Sequence, residues 1–296
     1  MIYTLNNGYL TIQVESKGAE LKSVKDNGSG IEYMWSGEEK YWGKTSPILF
    51  PFVGTLKNGE YQYEGRTYKM SRHGFARDME FDLKEQSDEK IIFSLNDNEE
   101  TREKYPFCFT LEIEYKLECD ILKVNWRVAN RSDKTMYFSV GGHPAFACPP
   151  LEKQGRTECF IKFGDADEIK VTELDMESGL LTGESRNLKL EEGYLQVAED
   201  LFDKDALIIE NNQTHQVSLC DSKRKAYLTM NFDAPLFGVW SVPDNNASYI
   251  CIEPWYGRCD SHDFIGELKD RDWTNSLEPG EIFEHGYEII KHEICD

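Results

Sequence analysis

Along the 296 residues, apolar and polar positions repeat mostly with a period of two. Tyr9–Val14 (YLTIQV), Lys90–Leu95 (KIIFSL), Phe109–Leu117 (FTLEIEYKL) and Ile121–Val128 (ILKVNWRV) carry this pattern, and Ala206–Glu210, Gln216–Leu219 and Ala226–Met230 are shorter runs of the same kind. Successive side chains of an extended chain point to opposite faces, so these runs predict strands packed on one face against a core. Each is rich in β-branched or aromatic residues and bounded by Gly, Asn, Asp or Ser, which favour turns. Two hairpin signals stand out: Asn58-Gly59 ahead of Tyr61-Gln62-Tyr63, and Glu64-Gly65 ahead of Arg66-Thr67-Tyr68. Asn-Gly supplies the positive φ angles of a tight two-residue turn. No long segment carries a 3.6-residue apolar stripe. Asp97–Tyr105 (DNEETREKY) reads as a helical turn or a charged loop, and Leu195–Phe202 is a candidate short helix.

Many strands, few helices and no Pro/Gly/Ser-rich linker predict a single all-β domain over residues 1–296, a large antiparallel sandwich. The acidic stretch Leu151–Gly193 reads as an excursion from that body. Composition adds a few exclusions. With 40% hydrophobic and 12% aromatic residues the chain is not disordered. A net charge of −21 repels phosphates, so nucleic acid and anionic membrane surfaces are excluded as partners. No 18-residue apolar run and no basic, then apolar, N-terminal segment are present, so a cytoplasmic protein is expected. The eight cysteines (Cys108, Cys119, Cys148, Cys159, Cys220, Cys251, Cys259, Cys295) form no C-x-x-C pair and read mostly as small buried hydrophobes.

Three segments hold candidate chemistry. His73 lies in SRHGFARD and His143 in VGGHPAF, each flanked by glycine, which lets the backbone turn sharply or a neighbour approach the ring. Either histidine is equally readable as a satisfied core or turn residue. In YICIEPWYG, Glu253 follows an apolar run beside Cys251, Ile252 and Trp255. Pointing inward it would be desolvated and raised toward the pKa of a general base; pointing outward it merely ends a strand. Trp255 offers a face on which a sugar stacks, or simply fills core. His215, His262, His285 and His292 sit in polar surroundings and read as surface residues.

The motifs HGFARD, GGHPAF and IEPWYG, in this order, resemble the aldose 1-epimerase (galactose mutarotase) family, most closely its LacX-like branch. Ser46–Gly54 (SPILFPFVG) with Lys57-Asn58-Gly59, Leu201–Leu207 (LFDKDAL) and Ser276–Glu281 (SLEPGE) extend the resemblance over almost the whole chain. It implies a galactose mutarotase-like β-supersandwich with an open, hexose-binding cleft. The implied reaction exchanges the α and β anomers of an aldose through the open-chain aldehyde, without metal or other cofactor. By motif, Glu253 matches the family's base and His143 its acid. His73 matches the histidine near the sugar ring oxygen, and Asp205 a carboxylate that holds hydroxyls, although Asp203 stands two residues away. A His acid near its ordinary pKa of ~6.5 and a Glu base raised by burial would both exchange protons near neutrality.

One departure concerns the substrate. Relatives commonly carry Arg after the glycine of FPFVG; here that residue is Thr55, and Lys44 stands where Arg is frequent upstream. Sugar binding would then fall to Lys44, Lys57, Arg72 or Arg77, or the substrate differs; Arg77 is equally readable as the ion-pair partner of Asp78 or Glu80. Three other readings remain open: a hexose-6-phosphate epimerase, which needs an Arg/Lys cluster; a non-catalytic sugar-binding module, which an intact Glu253 disfavours; and a metal-dependent cupin-like enzyme, which predicts an absent H-x-H pair. The partner expected is a small sugar, bound by a monomer or weak homodimer.

Overall fold

The computed structural model describes residues 1–151, 155–244 and 246–294; Cys295 lies outside the described residues. Two large antiparallel sheets carry most of the chain. Among the described residues one has nine strands, in the order Tyr194–Gln196, Phe160–Lys162, Gln216–Cys220, Ala226–Phe232, Ile282–Lys291, Ile121–Asn130, Phe109–Glu118, Lys90–Asn96 and Asp82–Gln86. The other runs Leu180–Lys189, Glu168–Asp175, Leu207–Ile209, Leu236–Trp240, Tyr249–Tyr256, Val140–Gly142 and Ile48–Leu49, with Ala145–Ala147 as an eighth strand on Tyr249–Tyr256. A three-stranded sheet of Ile2–Asn6, Leu10–Glu15 and Glu20–Asp26 packs at one end. This is the large all-β sandwich that the period-two pattern predicts.

The alternation explains why. In Ile121–Asn130 the residues Leu122, Val124, Trp126 and Val128 are fully buried, while Lys123, Asn125 and Arg127 face outward. Burying each such large apolar side chain contributes about 1.5–3 kcal/mol. One continuous core runs from Leu5 to Ile289 and draws on both sheets. On the solvent face Arg127 reaches Glu112 and Glu284 on the two neighbouring strands, so the polar positions pair across the ladder.

Several local expectations change. Asp97–Tyr105 is a helical turn, Glu99–Lys104, whose start is fixed by reciprocal hydrogen bonds between Asn98 and Thr101. Glu64-Gly65 does turn the hairpin Glu60–Tyr63/Arg66–Lys69, with φ of 47° and 71°. Asn58-Gly59 has positive φ as well but lies in a 3₁₀ turn leading into that hairpin, because no strand precedes it to be paired. Leu195–Phe202 is not a helix: Tyr194–Gln196 pairs as an edge strand with Phe160–Lys162, and ladder bonds outweigh the weak helical pattern. Leu151–Gly193 is not an excursion. It supplies strands to both sheets, and the turn between Glu168–Asp175 and Leu180–Lys189 reaches the cleft described below.

The small sheet shares the main core and is held by charge as well. Lys291, the last residue of Ile282–Lys291, donates to Asp26 at 2.8 Å and lies 3.0 Å from Asp120. Burial alone would raise the Asp26 carboxyl, but hydrogen bonds from Lys291 and Ser29 outweigh it and hold the pKa down at about 2. A carboxyl depressed in the folded state stabilises above its unfolded value of 3.8 and loses that contribution as pH falls through about 2. Asp26→Asn is therefore expected to cost about 1–2 kcal/mol at pH 7 and to flatten the loss of stability between pH 4 and 2. Urea melts across that pH range check both.

Candidate active site

The strand Tyr249–Tyr256 is buried at every position, because it lies inside its sheet with both faces covered. Ile250, Ile252 and Tyr256 enter the main core. On the opposite face, Tyr249 and Cys251 pack with Trp35, Trp42 and Trp240, and Trp255 packs with Leu49, Val53, Leu236 and Ile208. Glu253 therefore sits between two apolar clusters, 2% exposed. Period two puts residues 249, 251, 253 and 255 on one face, and packing buries that face.

His143 is placed opposite. Ala145 pairs with Cys251 and Gly141 with Trp255, so the intervening His143 comes across from Glu253. Its Nε2 lies 3.2 Å from the Glu253 carboxylate. The flanking glycines are required by close packing. A Cβ on Gly141 would stand 2.8 Å from the Trp255 ring and one on Gly142 would press on Trp126 and Tyr287. Gly238, opposite Glu253 on the next strand, leaves room for the other edge of the Trp255 indole.

His73 arrives from the Ser71–Gly74 turn with φ +68°. It is tied to Gly54 twice: its N–H donates to the Gly54 carbonyl at 2.9 Å, and Gly54 N–H donates to Nδ1 at 3.1 Å. Nδ1 is an acceptor, so the neutral ring carries its proton on Nε2. Its ring meets that of His143 edge-on, centroids 5.7 Å apart.

A cleft of about 370 Å³ opens over these groups. Arg72, Arg77, Asp205, Trp42, Trp240 and Trp255 line it together with His73, His143 and Glu253. Two other hollows lie on the outer face of the nine-stranded sheet around Asn125, Asp233 and His285, where Asp233 and His285 form an ion pair open to solvent. Asp205, not the exposed Asp203, faces the cleft, with Arg72 3.8 Å away. Arg77 donates to the Arg72 carbonyl at 2.9 Å and lies 3.8 Å from Asp78. Lys44 is not among the lining residues: it lies between Glu20 and Asp78, at 3.9 and 3.7 Å. Lys57 is likewise turned away, onto the Phe264 carbonyl. Thr55 abuts Gly179 of the overhanging turn, next to the Arg72 guanidinium. Of the four cations that stand as substitutes for the missing arginine, only Arg72 and Arg77 reach the cleft.

Burial controls the charges. It pushes the Glu253 carboxyl well above the ordinary range, with Arg72 pulling down and Asp205 pushing up. Burial, helped by Arg72, takes His143 down to about 3, far from the 6.5 of an ordinary imidazole. His73 is held well below its usual value by burial, His143, Arg72 and Arg77. Burial thus favours the uncharged form of both members of the pair.

The sequence alone does not reveal Trp42 and Trp240. Trp42 stacks on the His143 ring at 4.7 Å and Trp240 meets its edge at 5.6 Å, together excluding water. Trp42 lies outside every strand, in a loop with no period to mark it; Trp240 ends a strand whose period was not distinct. Trp42→Ala should readmit water and raise the His143 pKa from about 3 toward 6.5. A ¹⁵N NMR titration of the imidazole checks this.

The aldose 1-epimerase family model matches residues 1–289. The chain belongs to the aldose 1-epimerase family. It is similar to the chromosomal LacX protein of Lactococcus lactis subsp. lactis, 31% identical over 98% of this chain and 99% of that protein. Among solved structures it is similar to a galactose mutarotase related enzyme from Lactobacillus acidophilus, with 36% identity and a TM-score of 0.93 over 100% of this chain and 99% of that one. A galactose mutarotase-like protein from Lactobacillus casei ATCC 334 superposes with a TM-score of 0.90 at 27% identity, covering 99% and 100%. Membership in the aldose 1-epimerase family and these folds support a carbohydrate epimerase or mutarotase activity, that of an isomerase.

Proposed function

We propose that this protein interconverts the α and β anomers of a free aldohexose through the open-chain aldehyde, with Glu253 and His143 as the acid–base pair. The observation that carries the reading is their 3.2 Å contact on the floor of a cleft sized for a small molecule. Moving the shared proton from Glu253 to His143 gives a carboxylate and an imidazolium. The carboxylate takes the proton of the anomeric hydroxyl while the imidazolium protonates the ring oxygen, and the C1–O5 bond breaks. The pair is then back in its neutral arrangement, Glu253 protonated and His143 neutral, which is the one burial favours. After rotation about C1–C2 the same transfers run in reverse and close the ring on the other face. The pair carries no net charge at any stage, so the apolar clusters around it never enclose an uncompensated ion. No electrons change hands and no covalent intermediate forms, so the reading calls for no cofactor.

In this reading His73 Nε2–H donates to the ring oxygen region, Asp205 and Arg72 hold hydroxyls, Arg77 braces Arg72, and Trp255 supplies an apolar floor. Two guanidiniums on one wall favour a second reading, a phosphorylated aldose, although both have carboxylates nearby. Polarimetry of freshly dissolved α-glucose, α-galactose and their 6-phosphates tests both. Faster relaxation of a free sugar is expected; faster relaxation of phosphorylated sugars alone selects the second reading. If no sugar relaxes faster than in buffer, the mutarotase reading fails.

A further inference from the structure

A third donor lies beside the acid–base pair, behind the residues that line the cleft. Cys251 precedes Glu253 by two residues on the same strand face, and it stands directly across from Ala145, two residues after His143. The ligand atoms of His143, Cys251 and Glu253 all lie within 4.8 Å of one another, and all three residues are buried. The Nδ1 atom of His143 is buried with no hydrogen-bond partner, so a ring nitrogen is left unsatisfied beside the other two donors. We propose that these three side chains bind a thiophilic divalent cation, Zn²⁺ foremost, and that the bound ion shuts off acid–base catalysis by occupying both members of the pair. The inhibitory half of this inference rests on the function proposed above; the binding half does not.

The donor set decides the class of ion. Imidazole, thiolate and carboxylate together suit Zn²⁺, whereas Mg²⁺ and Ca²⁺ prefer oxygen donors throughout. Tetrahedral zinc with Zn–S of about 2.3 Å and Zn–N of about 2.0 Å places its donors roughly 3.3–3.8 Å apart. Side-chain shifts of about 1 Å therefore close the present arrangement onto an ion. Three protein ligands leave a fourth position for water.

The proton balance is favourable in a buried place. The neutral pair holds one proton and the Cys251 thiol another; Zn²⁺ displaces both into solvent and leaves a carboxylate, a thiolate and a neutral imidazole around a dication. The site is uncharged before and after, so binding leaves no buried excess charge. Ala145 contributes only a methyl group opposite Cys251, and Trp42 and Trp240 close the apolar surround.

Titration of the full-length protein with Co²⁺ and Zn²⁺ tests both halves. Co²⁺ is expected to bind at one equivalent with a thiolate-to-cobalt charge-transfer band that Zn²⁺ abolishes and Mg²⁺ does not. The measurement is made in a Cys119→Ser background, because Cys119 is exposed and would bind cobalt independently. Cys251→Ser conserves volume; it should remove the band and weaken zinc binding at least about tenfold, its mutarotation being compared with its own metal-free rate. Zinc should then inhibit the parent but not this variant. Absence of the band in the parent, or its survival in Cys251→Ser, overturns the binding site. Tight zinc binding with undiminished mutarotation overturns the inhibition alone. A protein that takes up cobalt as described but turns over no sugar leaves the site standing and refutes the mutarotase reading.

Discussion

Glu253→Gln and His143→Ala are each expected to slow anomer interconversion by about 10²–10⁴-fold, the usual loss when one member of a general acid–base pair is removed. The glutamine neither takes nor returns a proton, yet it keeps the shape of the side chain and adds no buried charge, so the fold should survive unchanged. Circular dichroism with polarimetry separates the two effects. The parent's pH profile carries the more searching test. A lone histidine acid with an ordinary pKa would lose activity as pH rises through ~6.5. Here burial takes His143 down to about 3 and pushes Glu253 up, so the pair keeps its single proton across neutral pH. kcat is therefore expected to be flat through pH 6–7, falling only when a second proton is gained in acid or the shared one is lost in alkali. An inflection near ~6.5 that disappears in His143→Ala would overturn this account of the charges.

The second large effect is structural. Gly74→Ala should destabilise the protein by at least about 3 kcal/mol, since it combines backbone strain with an unrelievable clash. Gly74 has φ +73°, and a Cβ there would stand 2.2 Å from the Phe50 carbonyl oxygen. That oxygen accepts the N–H groups of Phe75 and Ala76 and is backbone, so it cannot swing aside. By the scaling for large domains Tm should fall roughly 6–12 °C. Gly65→Ala is the control. Its φ is +71° but nothing lies within 4 Å of the new methyl, so only the conformational strain remains, about 1–2 kcal/mol. Equal losses at the two sites would refute the steric argument. Any folded Gly74→Ala protein should also show a raised KM, because the same turn aims His73.

The glycines beside His73 and His143 stand out in the chain, but their reasons do not. A positive φ at Gly74 and the clearance that Gly141 gives the Trp255 ring depend on Phe50 and on a strand more than a hundred residues away. The same distinction holds for Glu253. Period two gives its strand and its company, while its burial depends on the apolar clusters that long-range packing places on either side. The histidine acid carried the larger error. Its expected pKa was that of an exposed imidazole, whereas Trp42 and Trp240 remove the water that would stabilise the charged form. Lys44 departs from expectation for a related reason: its cationic charge is evident in the chain, but the carboxylates near it, Glu20 and Asp78, belong to other segments.

By itself the sequence determined the all-β class, most strands, the Glu64-Gly65 turn and the three segments that converge on the cleft. Those properties are local, set by side-chain alternation and by the φ preferences of a few residues. Only the tertiary structure decided that His143 and Glu253 touch, that burial disfavours the charged form of each, and that Arg72 and Arg77 but not Lys44 reach the cleft. Contact distance, desolvation and charge pairing are properties of residues far apart in the chain, and they exist only once the two sheets have packed.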